Sequence, residues 1–332
     1  MFSYKSKLLI NYGKLHNKKG AYMKFCYANR RMTLYPNSVD PWDLAPKDYT
    51  DEFLTKVKEM GFDALEISTE TLDRTGGTEE SVSEFKKRIN GFGLDIGSIR
   101  SGGTLTEAKN APENIKKMKK AITYGKWSGA EVVNGAISAP ARYPGNPPGS
   151  LPASGSGWSK SQDASKDADI WVYEHLAKVY QDACDKASDD NLNISVEIHQ
   201  NSPVDNSWSA LYLHDLVSRK NFGINPDLGN VLWNYDQPEE TFENCIDNVA
   251  SISNYWHCKN LQTIYHPENE RSVFIRVPLP DGEIDYRYAI TSLTNAGYEG
   301  YMAIEGTQNG DQFYKDYQSI SYAKNVIESL DV

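Results

Sequence analysis

The sequence predicts an α/β protein built as a (β/α)8 barrel. Apolar runs of strand length alternate eight times with amphipathic helical segments. The runs are nearly continuously apolar, as expected of parallel strands covered by helices. The turn after the first run, Ala28-Asn29-Arg30-Arg31-Met32, lacks the glycine-rich phosphate turn that opens a doubly wound nucleotide fold.

Taken in order, the strands begin near Lys24, Asp63, Leu94, Glu131, Asn193, Phe222, Ser251 and Gly300. The helices fall near residues 50–60, 80–91, 112–128, 169–188, 207–219, 238–248, 285–296 and 311–330. Together they predict one catalytic barrel domain over residues 23–332, which Met23-Lys24-Phe25-Cys26 opens as a normal first strand. Residues 1–22 carry Lys5, Lys7, Lys14, Lys18 and Lys19 around Leu8-Leu9-Ile10 and read as a basic, disordered extension. That apolar run is short for a secretion signal, and no small-residue cleavage pattern follows it.

Composition narrows the class. The 332 residues, 39% hydrophobic, suffice for a large α/β core, and no apolar stretch approaches a membrane span, so no membrane partner is expected. Cys26, Cys184, Cys245 and Cys258 are widely spaced and form no CxxC pair, which fits a reduced cytoplasmic compartment. With 35 basic and 45 acidic residues the net charge is -10, which opposes approach to a nucleic-acid backbone.

One segment breaks the alternation. Between Ser138 and Asp167 lie Pro140, Pro144, Pro147, Pro148 and Pro152 with several glycines and serines. A connection this long after the fourth strand predicts a lid or binding loop over the catalytic face, with Tyr143 and Trp158 as substrate contacts; a structureless insertion or an oligomer contact is the alternative.

The chemistry concentrates in the second half of the chain. Glu197, Asp227, His257 and Glu305 each end an apolar run: Ile194-Ser195-Val196-Glu197, Phe222-Gly223-Ile224-Asn225-Pro226-Asp227, Ile252-Ser253-Asn254-Tyr255-Trp256-His257 and Tyr301-Met302-Ala303-Ile304-Glu305. Parallel neighbouring strands would bring these ends to one point. Three carboxylates and an imidazole would there repel and desolvate badly without a cation, so the set predicts one divalent metal. The carboxylate-rich donors favour an open Mn2+ site, with Mg2+ or Co2+ as substitutes. A single strand-end carboxylate is more often a helix cap or a surface charge; four on neighbouring strands are not.

Around this set, alternation points His199 the same way as Glu197 and Lys259 the same way as His257. His199 is a candidate base, or a structural imidazole. Lys259 is a candidate for stabilising an enolate, or an ion-pair partner within the cluster. Candidate substrate contacts are Glu66 at the second strand end, Asn230, and Arg271 and Arg276 in a loop after the seventh strand. Asp285 reads as a helix cap.

These residues resemble the sugar phosphate isomerase/epimerase superfamily of xylose-isomerase-like barrels, over about residues 23–330. Met23-Lys24-Phe25, Gly61-Phe62-Asp63-Ala64-Leu65-Glu66-Ile67 and the four strand-end ligands carry the likeness. It implies one divalent metal, often manganese, with Glu197 and Glu305 in proton transfer. Two departures speak against simple epimerisation of a free ketose: Asn230 stands three residues after Asp227 where the keto-sugar epimerases generally carry His, and Glu197-Ile198-His199 replaces a common Glu-Pro.

Two stretches, Trp256-His257-Cys258-Lys259-Asn260 and Val277-Pro278-Leu279-Pro280-Asp281-Gly282-Glu283-Ile284-Asp285-Tyr286-Arg287, are most similar to the larger subunit of C-glycoside deglycosidases. That resemblance implies a lyase acting on a 3-keto glycoside, release of an aromatic aglycone, and a small β-rich partner subunit. A homo-oligomer is also compatible. The 21 Tyr and 7 Trp offer flat surfaces for such a ligand. The rivals are a metal-dependent keto-sugar isomerase/epimerase or inosose-dehydratase-like enzyme, an endonuclease at abasic sites, disfavoured by its need for further His ligands and by the acidic charge, and a catalytically silent sugar-binding barrel.

Overall fold

A computed structural model describes residues 23–28, 32–34, 37–39, 44–137, 164–200, 202–233, 239–269, 271–307 and 310–330. The predicted lid, with Tyr143 and Trp158, and the basic extension lie outside the described residues.

Eight parallel strands form the barrel wall: β1 (Lys24–Tyr27), β4 (Ala64–Ser68), β5 (Asp95–Arg100), β6 (Val132–Ala136), β7 (Asn193–Glu197), β8 (Phe222–Asn225), β9 (Trp256–Cys258) and β12 (Tyr301–Ile304). They pair in the order β8-β7-β6-β5-β4-β1-β12-β9. A parallel bridge between Ile224 and Ser253, with Asn254 N donating to Ile224 O at 3.2 Å, joins β8 to the approach of β9 and closes the cylinder.

Alternation along each strand sorts the side chains. Leu65, Ile67, Ile194, Val196, Trp256, Cys258, Met302 and Ile304 join the large core under the helices. Cys26, Ala64, Val132, Tyr255, Tyr301 and Ala303 form a separate cluster in the barrel interior. The strands therefore have two apolar sides, and their polar residues collect at the C-terminal rim, where the interior opens.

Helices α1 (Asp51–Met60), α3 (Glu79–Asn90), α4 (Ala111–Ser128), α5 (Ile170–Ala187), α6 (Ser207–Val217), α8 (Phe242–Val249), α9 (Tyr286–Asn295) and α10 (Gln312–Leu330) cover the outside. Their starts are set by local chemistry: Thr50 caps α1, Asn206 caps α6 and Asp285 accepts from Tyr288 N at 3.1 Å to cap α9. Two short helices follow strands directly, α2 (Thr69–Arg74) and α7 (Leu228–Leu232). A small hairpin of β2 (Met32–Leu34) and β3 (Asn37–Val39) follows β1.

The structure corrects two expectations. The seventh barrel strand starts at Trp256 and not near Ser251, because Ala250–Ile252 is a 3-10 turn. Ser253 Oγ donates locally to Val249 O at 2.8 Å, which holds this stretch in a turn, and Asn254 Nδ2 donates to Ile194 O of β7 at 3.1 Å. Arg271 and Arg276 do not lie in a loop. They belong to β11 (Arg271–Val277), which pairs antiparallel with β10 (Asn260–His266) in a hairpin standing off the barrel. Its base is pinned by Asn260, whose Nδ2 donates to Leu279 O (2.7 Å) and Ile284 O (2.9 Å) and whose Oδ1 accepts from Ile284 N (3.0 Å) and Leu261 N (2.9 Å). Through Asn260 the stretches 256–260 and 277–287 meet in space.

All four cysteines are buried and free, and no described helix is long and apolar enough to cross a membrane.

One close approach depends on glycine. A Cβ on Gly135, in β6, would lie 1.7 Å from the carbonyl oxygen of Ser101, a backbone atom that cannot turn away. Gly135→Ala is expected to lower unfolding free energy by about 3 kcal/mol, in the range of overpacked cores. Thermal unfolding checks this, and an unchanged midpoint would show that β6 does not need the gap.

Candidate metal centre

The rim gathers the four predicted ligands. Glu197 ends β7, Asp227 lies just past β8, His257 sits in β9 and Glu305 follows β12. One donor atom from each lies within 4.8 Å of the others, and all four residues are buried. His257 Nδ1 stands 3.4 Å from Glu197 Oε2 and 3.5 Å from Glu305 Oε1. Asp227 Oδ1 accepts from Asn230 N at 3.3 Å and starts α7, so the cap reading and the ligand reading are both realised in one carboxylate.

The far side of the imidazole explains Glu66. Its Oε2 lies 2.8 Å from His257 Nε2 and accepts from Tyr255 OH at 3.0 Å. The carboxylate holds a proton on Nε2 and turns Nδ1 toward Glu197 and Glu305, where a cation could take the place of its proton. Asn225 Oδ1 accepts from His257 N at 2.6 Å, and Asn225 Nδ2 donates to Asn134 Oδ1 at 3.2 Å. Glu66 was expected to touch substrate. Its Oε2 lies behind the imidazole, placed to orient His257.

Asn230, also expected to touch substrate, is hydrogen-bonded within the cluster. Its Nδ2 lies 3.0 Å from each of Glu197 Oε1, Asp227 Oδ2 and Ile198 O, and it holds two ligand carboxylates from behind. Lys259 joins the cluster from above α7. Its ammonium bonds Asp227 Oδ2 and lies 3.0 Å from Glu305 Oε2. Its stem passes so close to α7 that a Cβ on Gly229 would lie 2.4 Å from Lys259 Cγ, while Tyr286 OH donates to Lys259 O at 2.9 Å. Arg276 Nη1 reaches to 3.5 Å from Glu305 Oε2, with its guanidinium 5.3 Å from the centre of the Trp233 ring. His199 Nδ1 lies 3.0 Å from Gln200 O. The Arg271 side chain lies outside the described residues.

Electrostatics mark the cluster as short of positive charge. Burial pushes the Asp227 carboxyl up to about 7 despite the pull of Lys259, with Glu305 and Glu197 adding to the rise. Burial opposes charge on His257, yet Glu66 and Glu197 lift its ring to about 10. Glu197 is also opposed by burial, but the neighbouring His257 holds it well below the usual carboxylate range. Burial lowers His199 from its ordinary value, with Glu197 working the other way. Three buried carboxylates with one oriented imidazole nitrogen fit a divalent cation, whose charge answers this shortage.

Sequence reasoning missed Tyr255, Asn134 and Asn225. Their signal was available, since Asn134 and Asn225 are polar residues within apolar strand runs, on the face that points inward.

The sequence profile of the xylose-isomerase-like TIM barrel matches residues 54–326. The chain belongs to that family. Among solved structures, the fold is similar to a xylose isomerase-like TIM barrel protein from Mycobacterium smegmatis in complex with magnesium, at 20% identity and a TM-score of 0.72, covering 94% of this chain and 98% of that one. It is also similar to the 3-keto-D-glucoside 4-epimerase of E. coli (14% identity, TM-score 0.63, covering 91% and 99%). A third is the IOLI protein with a zinc atom bound (14%, 0.62, covering 93% and 99%). At these identities the likeness carries the barrel fold. Among curated proteins no sequence matches this chain.

Two outcomes follow for this family member. Mn2+ at about 100 times its Kd should add about 2.7 kcal/mol of stability, seen as a higher thermal midpoint that a chelator reverses. A midpoint indifferent to Mn2+, Mg2+ and Zn2+ would remove the metal from the argument. Glu66→Gln should weaken cation binding about 10- to 100-fold by calorimetric titration; undiminished affinity would deny Glu66 its hold on His257.

Proposed function

We propose that the protein is a divalent-metal-dependent lyase that takes a proton from beside the ketone of a 3-keto glycoside and expels an aromatic aglycone. The observation that carries this reading is the pair Glu197 and Glu305, which reach one imidazole nitrogen at 3.4 and 3.5 Å while Lys259 lies against Glu305. Two carboxylates and an ammonium around one point supply a base, a second proton carrier and a counter-charge for a developing oxyanion.

The cation, most simply Mn2+, would be held by Glu197, Asp227, His257 and Glu305 and would supply Lewis-acid polarisation of the ketone. The remaining steps fall to the chain itself. Glu197 or Glu305 accepts the proton from C2, and the C–H electron pair becomes the enolate spanning C2 and C3. Lys259 opposes the charge that develops on the oxygen. The pair then returns to form the C1–C2 double bond, the ketone is restored, and the bond from C1 to the aglycone breaks. The acid so formed on Glu197 or Glu305 returns its proton to the departing carbon or oxygen, with His199, placed two residues beyond Glu197, as the relay between them. Atoms balance as an elimination, with an enone sugar and a protonated aglycone as products.

The second reading is epimerisation, in which a proton beside the ketone, at C4 or at C2, is abstracted and returned to the opposite face. The likeness to a 3-keto-D-glucoside 4-epimerase favours it, since that neighbour's substrate also carries a ketone at C3.

The test supplies the full chain and Mn2+ with 3-keto C- and O-aryl glycosides and, separately, with free ketoses, and follows products and solvent deuterium. Release of the free phenol or arene with exchange at C2 is expected. His199→Asn should slow release by about 100- to 10,000-fold while leaving Mn2+ affinity unchanged. Free ketoses epimerised with the glycosides intact would replace elimination by the second reading.

A further inference from the structure

We propose that Trp233 and Phe274 form a platform for the aromatic aglycone, an apolar subsite set beside the metal centre and joined to it by Arg276. The inference takes from the proposed function only the position of the sugar at the rim.

Trp233 is the residue at which α7 ends, with its N–H donating to Gly229 O at 2.8 Å, so its backbone is fixed by the same short helix that Asp227 starts. Phe274 and Arg276 are two residues apart on β11 and share one face of the hairpin. The Trp233 and Phe274 rings lie with centroids 5.9 Å apart and planes 38° apart, and both side chains are half-buried. Arg276 bridges two kinds of surface, with its guanidinium 5.3 Å from the Trp233 ring and Nη1 3.5 Å from Glu305 Oε2. A planar group resting on these rings has its attached sugar directed toward Glu305 and its phenolic oxygen within the field of a guanidinium.

The plainer account is that the two rings only pin the hairpin to the barrel. The hairpin is already held at its base, by the Asn260 hydrogen bonds and by Leu261, which is fully buried. Beyond that base Gln262, Ile264, Tyr265 and Ile275 are exposed, so the arm extends without covering its own apolar residues. Half-buried aromatics at the edge of a polar, carboxylate-rich centre fit a ligand with one flat apolar end and one oxygen-rich end.

Calorimetric titration of the Mn2+-loaded full chain with 4-nitrophenyl and methyl glucosides tests this without turnover. The aryl glucoside should bind about 10-fold more tightly. Trp233→Ala and Phe274→Leu should each reduce that preference, leaving methyl glucoside and Mn2+ affinity unchanged, and Trp233→Phe should restore most of it. Phe274→Leu, on the hairpin and outside α7, decides the matter if Trp233→Ala loses Mn2+. Equal affinity for the two glucosides, binding of neither, or an aryl preference that survives Phe274→Leu overturns the subsite. An aryl preference lost in the variants, with no elimination from 3-keto glycosides, would sink the lyase reading and leave the platform standing.

Discussion

Everything at the rim follows from one imidazole held between carboxylates. His257 is fully buried, with Glu66 behind it and Glu197 and Glu305 before it, and none of these acids is accessible enough for water to neutralise its charge. Buried carboxylates in such contact are costly unless the surroundings supply hydrogen bonds and opposite charge. The structure supplies both in layers. Tyr255, Asn225, Asn134 and Asn230 provide donors and acceptors within the rim, and Lys259 and Arg276 bring charge from beyond it.

The barrel makes this arrangement affordable because its two interfaces are separated. Apolar side chains on the outer face of each strand meet the helices and make the larger core, separate from the cluster that points inward. The inward positions are then open to a graded filling, with small and aromatic residues below and ionisable ones at the rim. Close approaches tune the result: Gly135 lets β6 lie against Ser101, and Gly229 lets the Lys259 stem pass against α7 to reach Asp227 and Glu305.

Much of this was legible before the fold was known. The convergence of Glu197, Asp227, His257 and Glu305 was readable because an ionisable residue that ends an apolar strand has one direction in which to point, and parallel strands make those directions converge. Asp285 was readable as a cap because its chemistry is local, completed three residues away by Tyr288. The roles of Glu66 and Asn230 were not, because each is settled by partners that local sequence does not name. Glu66 finds His257 191 residues along the chain, and Asn230 finds Glu197 33 residues back. The hairpin was missed for a different reason. In Leu261-Gln262-Thr263-Ile264-Tyr265 the polar and apolar residues mix, as they do in a loop, because only the base of the arm is buried. The start of the seventh strand was obscured by Ser253 and Asn254, whose side chains bond backbone oxygens and suspend the strand for a few residues.

The charge balance at the rim bears on what the site can stabilise. Glu66, Glu197, Asp227 and Glu305 bring four potential negative charges, against the cations Lys259 and Arg276. With the ring neutral, as a cation bound at Nδ1 would make it, these groups are two charges short, and one divalent ion would make them even. A neutral sugar then enters a centre without net charge. On the proposed reaction path the substrate gains a negative oxygen as its proton passes to a carboxylate, so the total stays constant and only the position of the charge moves. Such a transfer, between groups already held in contact and away from bulk water, requires little rearrangement of the surroundings, which is the condition under which a fixed polar site lowers a barrier most. Lys259 is well placed to respond, since its ammonium already lies between Asp227 and Glu305 and can follow the charge from carboxylate to substrate oxygen without leaving the cluster.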